Sequence, residues 1–254
     1  MKIVVNEAFR QHHAFIERIP ALLAQRSECE VIYDQRNLVA RFRHEGMTLI
    51  VKRYKKVNFI QQFVYTFFRK TKAERAYNFG IEFLHRGVKT PQPVAYMEEY
   101  RCGLFTTGYF VSQEAQGTET HLLLREVQDY PKDLAEAVAS QIVSMHSKGI
   151  LHGDLNLSNF LCTSHLVPRT SYLVPRTSHL AYSFTMIDTN RSHFCDGYPS
   201  NEACIKNMVR LTHRRDLYED LIRRYARQRG WDADETARQA LLLLDKFEQR
   251  RFRL

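Results

Sequence analysis

An α+β fold with its strands and helices segregated is predicted by the order of patterns along the 254 residues. Strand-like runs rich in Val, Ile, Phe and Tyr dominate as far as residue 112, and apolar positions at helical spacing take over beyond Pro131. Hydrophobic residues make up 44% of the chain, enough for a real core, while Gly and Pro are too few for a collagen-like or low-complexity protein.

The elements follow in order. Val31–Phe42 and Met47–Tyr54 read as a hairpin about His44-Glu45-Gly46, and the second strand ends in "TLIVKRY", where Lys52 follows three apolar residues. Phe59, Ile60, Phe63, Val64, Phe67 and Phe68 recur on one helical face. Between Lys52 and Arg75 there are eight Lys or Arg and one acid, Glu74. A basic aromatic helix of this kind can lie on an anionic membrane. The expectation here is the commoner arrangement, with the apolar face packed on its own domain and the charges in water. Thr71–His85 is a second helix, capped by Gly87, and "TPQP" at Thr90–Pro93 then forces an extended link. Val94–Met97 and Leu104–Ser112 are strands joined by a turn at Arg101-Cys102-Gly103. Pro131–Lys148 opens with Pro in a first helical turn and carries an apolar stripe. From about Asn201 onward the chain is helical, with Leu217, Leu221 and Tyr225 on one stripe and Ala237, Leu241, Leu244 and Phe247 on another.

Composition bounds the partners. Lys plus Arg outnumber Asp plus Glu by 37 to 28, a net +9, which suits nucleic acid, anionic lipid or phosphorylated substrates. No aromatic-basic recognition motif stands out, so nucleic acid is not expected. Five cysteines without Cys-x-x-Cys spacing argue against a disulfide framework or a zinc site and for a reducing compartment. The start lacks the apolar core of a signal peptide, and the longest aliphatic runs fall far short of the ~20 residues of a membrane span. The expectation is a cytoplasmic protein, peripheral at most.

One segment is repetitive. "SHLVPRT" at Ser164–Thr170 is followed by "SYLVPRT" at Ser171–Thr177, and "SHL" restarts at Ser178. Two heptads with a Pro in each cannot form a coiled coil, so an inserted, exposed loop is expected at about 164–180.

The chemistry concentrates in "ILHGDLNLSNFL", Ile150–Leu161. It follows a helix, precedes a short apolar strand at Asn159–Cys162, and a second apolar strand, Phe184–Ile187, delivers Asp188. Phosphoryl transfer needs a cation over the phosphates, a Lys on the nucleotide and a carboxylate beside the attacking hydroxyl. Lys52, Asp154, Asn159 and Asp188 supply one candidate for each part, Asp and Asn being oxygen ligands of the kind magnesium prefers.

"HGDLNLSN" resembles the catalytic loop of the protein-kinase-like superfamily, His-x-Asp-x-x-x-x-Asn, matched by His152, Asp154 and Asn159. Together with "TKAERAYNFG…HRGVKTPQPVAY", "HSKGILHGDLN" and "NMVRLTHRRDL…YARQRGWD", the chain from about Val31 to Asp232 resembles the lipopolysaccharide kinase (Kdo/WaaP) family. The resemblance implies a bilobal protein-kinase-like fold, with a small β-rich lobe at 1–112 and a mostly helical lobe at 113–254. It implies that Asp154 accepts the proton of the substrate hydroxyl, that Asn159 and Asp188 hold Mg2+, and that Lys52 contacts the phosphates of ATP. Glu74 would orient Lys52, with Glu82 as the alternative, and Ser112 and Gln113 fall where backbone groups would meet adenine. His152 is read as a hydrogen-bonding strut. Asn159 and Asp188 stand 29 residues apart, and removing two seven-residue repeats leaves 15, close to a tight strand-turn-strand link. Two departures stand out. The hairpin tip "YDQRN", Tyr33–Asn37, has no glycine-rich phosphate loop, although Arg36 could help there, and the metal motif reads Asp-Thr-Asn. The function implied is an ATP-dependent kinase acting on a Kdo or heptose hydroxyl of the lipopolysaccharide inner core, at the inner face of the cytoplasmic membrane. A kinase for another small molecule or a protein, and a pseudokinase scaffold, are the alternatives.

Overall fold

The computed structural model describes residues 1–168 and 178–252. The described chain forms two compact units, Met1–Ala115 with Thr189–Arg191, and Gln116–Asp188 with Ser192 onward.

The first unit holds β1 (Lys2–Val5), α1 (His13–Gln25), β2 (Cys29–Asp34), β3 (Leu38–His44), β4 (Met47–Arg53), α2 (Phe59–Phe67), α3 (Lys72–His85), β5 (Pro93–Arg101) and β6 (Leu104–Gln113). Its six strands form one antiparallel sheet in the order β1-β5-β6-β4-β3-β2. The run expected as a single strand, Val31–Phe42, is broken at Gln35–Asn37 into β2 and β3, because three consecutive polar residues there form a bend. Alternation along β4 puts Leu49 and Val51 into the core, where they meet Ile16, Ile19 and Leu23 of α1. The alternate residues of the strand, Ile50 and Lys52, take the opposite face, where α3 lies and Ala73 and Tyr77 pack with Tyr54 and Tyr96. The stripe Phe15, Ile16, Ile19, Leu22 and Leu23 is the apolar signal of α1, a helix the sequence reading passed over. Pro20 interrupts that stripe at its middle.

The expectation that the apolar face of 59–68 packs on its own domain is wrong. The helix exists and is capped by Asn58, whose side chain accepts the Gln61 N–H at 2.9 Å, yet none of its residues is buried. The helix turns its other side to the sheet: Thr66 Oγ1 accepts the Phe105 N–H at 2.9 Å, and the Tyr65 and Phe105 rings meet edge-on at 5.7 Å.

The second unit contains β7 (Thr118–Glu119), α4 (Thr120–Leu124), α5 (Lys132–Ser147), β8 (Ile150–Leu151), β9 (Phe160–Pro168), β10 (Ser178–Met186), β11 (His193–Phe194), α6 (Asn201–Met208), α7 (Arg215–Gln228) and α8 (Ala233–Phe252). Leu134, Val138 and Ile142 of α5, Leu217, Leu221 and Tyr225 of α7, and Ala240 and Leu244 of α8 are all buried and form the helical core. The strands flanking the repeat are longer than expected. Ser164–Pro168 continues β9 and Ser178–Leu180 opens β10, in register from Pro168↔Ser178 to Phe160↔Met186, so both ends of the repeat are hairpin. The remainder of the repeat, 169–177, lies outside the described residues.

Candidate active site

The residues of the candidate catalytic loop are placed by the apolar residues between them. Ile150, Leu155 and Leu157 are buried, and Leu157 is tied down by its N–H donating to the Leu211 carbonyl at 3.1 Å. The intervening Asp154 keeps its side chain 24% exposed, open to a substrate.

His152 is fully buried and works as a strut. Its Nε2–H donates to the Ile187 carbonyl at 3.0 Å, and its Nδ1 accepts the Asp154 N–H at 3.2 Å. This pattern needs the neutral ring, and burial holds the His152 pKa below the ordinary value. A second chain of bonds braces the loop from behind. Asn207 Nδ2–H donates to the His152 carbonyl at 2.8 Å, Asn207 Oδ1 faces His146 Nε2 at 3.1 Å, and His146 Nδ1 lies 2.8 Å from the Tyr225 hydroxyl. With Asn207 Nδ2 committed to His152, Asn207 Oδ1 must accept, so His146 donates from Nε2 and accepts the Tyr225 O–H at Nδ1. Sequence reasoning quoted the motif around Asn207 without assigning the residue a role. Nothing in the primary pattern reveals its 55-residue reach.

Asn159 Nδ2–H donates to the Asp154 carbonyl at 2.8 Å, which commits its nitrogen and leaves Oδ1 as the atom for a cation. The Ile187 N–H donates to the Asn159 carbonyl at 3.0 Å, so Asp188 is carried to the same end of the hairpin. Asp188 has φ +57°, a left-handed conformation that Asp tolerates better than most residues and that often marks a functional position. Asp154, Asn159 and Asp188 line one open cavity of about 720 Å³ together with Arg125, Arg210 and Arg250. Arg210 Nη1 lies 3.2 Å from Asp154 Oδ1, and its guanidinium sits over the Phe247 ring, 5.2 Å from the centroid. None of these three arginines was singled out from the sequence. The cavity thus combines two carboxylates and an amide oxygen, a donor set that fits a hard divalent cation, with guanidinium groups that fit an anionic substrate.

In the first unit, Lys52 is flanked on β3 by Val39 and on β6 by Phe110, with its ammonium 5.6 Å from the centroid of the Tyr54 ring. Further cations gather near it. The pKa of Lys72 is lowered, first by burial and then by Arg36, Arg191, Arg75 and Lys52. Arg75 Nε is buried without a hydrogen-bond acceptor, an orphan suited to an anion's oxygen. Glu74 pairs with Lys70 at 3.6 Å. The alternative, Glu82, pairs with Arg86. Ser112 and Gln113 close β6, opposite Ile50 and Leu49 of β4.

The sequence pattern of the lipopolysaccharide kinase (Kdo/WaaP) family matches residues 33–174, more than half of the chain. The chain belongs to that family. This Kdo/WaaP-family protein has the fold of a solved relative, WaaP in complex with acyl carrier protein, at TM-score 0.59 and 19% identity over 98% of each chain. The Rio2 kinase-ADP/Mg2+-phosphoaspartate complex from Chaetomium thermophilum matches at TM-score 0.49 and 13% identity, over 87% of this chain and 64% of that one. No curated protein sequence matches the chain. The fold is therefore protein-kinase-like, with a β-rich unit followed by a helical one, and the protein is a lipopolysaccharide kinase, a phosphotransferase for which ATP is the implied donor. Among the described residues no helix is long and apolar enough to cross a membrane.

Proposed function

We propose that this kinase moves the γ-phosphoryl group of ATP, with Mg2+, to a hydroxyl of Kdo or heptose in the lipopolysaccharide inner core. The observation that carries the acceptor class is the cavity itself, where Arg125, Arg210 and Arg250 share the lining with Asp154. A Kdo unit bears a carboxylate, and a core already phosphorylated bears phosphate. Either anion would be held by guanidinium groups while its neighbouring hydroxyl meets Asp154.

In this reading residues 1–112 hold the nucleotide and 113–254 the acceptor. Asp154 orients the hydroxyl and receives its proton. Asn159 and Asp188 would hold Mg2+, which would neutralise charge on the transferred phosphoryl group. Lys52 contacts the α- and β-phosphates, Ser112 and Gln113 meet adenine through their backbone, and Glu74, in the first turn of α3, orients Lys52, with Glu82 as the alternative. Lys72, Arg75 and Arg191 supply the cationic surroundings that a glycine-rich loop would otherwise replace with backbone N–H groups. The acceptor's lipid places the work at the inner face of the cytoplasmic membrane.

The test is transfer of labelled phosphate from ATP to purified core lipopolysaccharide, with an aminoglycoside, choline and a protein substrate alongside. Asp154→Ala should lower transfer by about two to four orders of magnitude. Full activity in that variant sinks the assignment of Asp154, and transfer confined to a non-core acceptor sinks the substrate.

A further inference from the structure

We infer that α2 is a membrane-docking element that seats this kinase on an anionic lipid surface by its outward apolar face. Phe59, Ile60, Phe63, Phe67 and Phe68 are 71%, 73%, 48%, 61% and 77% exposed. They account for five of the fifteen exposed large hydrophobics among the described residues, gathered in ten positions. A chain in water ordinarily scatters such residues singly. Phe63 stacks at a tilt on Phe67 with centroids 4.8 Å apart and on Phe68 at 5.8 Å, so these three rings form one aromatic cluster within the patch.

The mounting of the helix argues against a misplaced core element. Its polar side faces the sheet, through the bond from the Phe105 N–H to Thr66 Oγ1, and Thr66 Oγ1 itself donates to the Gln62 carbonyl at 2.7 Å. Turning the helix over would bury the phenylalanines and break the bond from the Phe105 N–H to Thr66. The fold holds the apolar side outward.

Charge selects the occupant. Lys55 and Lys56 precede the helix, Arg69 and Lys70 follow it, all four are exposed, and no Asp or Glu lies between residues 55 and 70. Cations at both ends of an aromatic face match a bilayer whose headgroups are anionic and whose acyl boundary accepts rings. An acidic protein groove would satisfy the charges but would need its own apolar trough. Nothing in the charge pattern, which brackets the face rather than lining one edge, favours that over a plane. The inference deepens the proposed function by naming the element that meets the lipid side of the acceptor.

The experiment is flotation of the full chain with vesicles of phosphatidylcholine alone or mixed with phosphatidylglycerol, at low and high salt. The expected result is binding to the mixed vesicles only, weakened by salt. Phe63→Ser/Phe67→Ser should weaken binding by at least about tenfold, because each buried ring contributes strongly to insertion. Lys55→Glu/Lys56→Glu should cost about fivefold for each cation lost, and more for the reversed charge. These residues are exposed, and circular dichroism with thermal melting identifies any variant that fails to fold. Equal flotation of wild type and the Phe63/Phe67 variant overturns the inference. So does absence of flotation, including the case in which the same face instead binds acyl carrier protein or a second copy, read by size exclusion with light scattering. Phosphate transfer to a deacylated, water-soluble core fragment separates the two readings. It should be unchanged in the Phe63/Phe67 variant, whereas a failure of the kinase assignment would appear as no transfer by wild type, whatever the vesicles show.

Discussion

Buried His146, which with Asn207 braces the candidate catalytic loop, makes a pH-dependent stability prediction with a definite sign. Burial lowers the His146 pKa from the ordinary 6.5 to about 4. Between those values the unfolded chain carries an imidazolium that the folded chain refuses. The folded state therefore binds fewer protons, and its stability falls as pH drops from about 6.5 to about 4. The loss is about 2 kcal/mol by pH 5 and about 3 kcal/mol by pH 4. His146→Gln cannot titrate. At pH 7 it should be less stable than wild type by about 1–2 kcal/mol, the worth of two imperfectly replaced hydrogen bonds. On acidification wild type loses stability that the variant keeps, so the two curves cross near pH 5. Urea unfolding followed by fluorescence of Trp231, the chain's one tryptophan, reports on the relevant unit, since its ring lies 5.6 Å from that of Tyr225. A variant that stays less stable than wild type at every pH down to 4 would refute the account of His146 as a ring kept neutral by burial.

Three further outcomes follow from particular contacts. Gly117→Ala should destabilise by about 2 kcal/mol in urea titration, because Gly117 has φ +136° and an added Cβ would meet the Cys162 carbonyl oxygen at 3.0 Å; an unchanged midpoint would contradict this. Arg210→Gln should raise KM for the acceptor several-fold while leaving KM for ATP in place, since the guanidinium stands beside Asp154 in the arginine-lined cavity; a change confined to ATP would reassign it. Chelation by EDTA should abolish transfer and added Mg2+ restore it, and the thermal shift produced by Mg2+ with ADP should shrink in Asn159→Ala; a shift of wild-type size would remove Asn159 from the metal site.

The order of strands and helices, the segregation of the two classes and the candidate catalytic loop were legible from local pattern. Alternation marked β4 and β6, the 3.6-residue stripe marked α3, α5 and α7, and "HGDLNLSN" needed only its spacing. What local pattern cannot carry is pairing at a distance. Val31–Phe42 looked like one strand because its apolar content is continuous on either side of Gln35–Asn37. Arg125, Arg210 and Arg250 come from separate elements and meet only when the helical unit is built.

Residue type and spacing alone singled out Asp154, Asn159, Asp188 and Lys52 as the candidate set, because oxygen ligands and a strand-borne lysine are properties of the side chains themselves. The tertiary structure decided the surroundings of His152, since burial lowers its pKa and the Ile187 carbonyl accepts its Nε2–H, which makes the ring a strut. It also decided the face of α2. The periodicity of 59–68 says that one side is apolar, but it is the same for a helix facing in or out. The direction was settled by Thr66 and Tyr65 bonding and packing to Phe105, a choice made by the sheet and invisible to the helix.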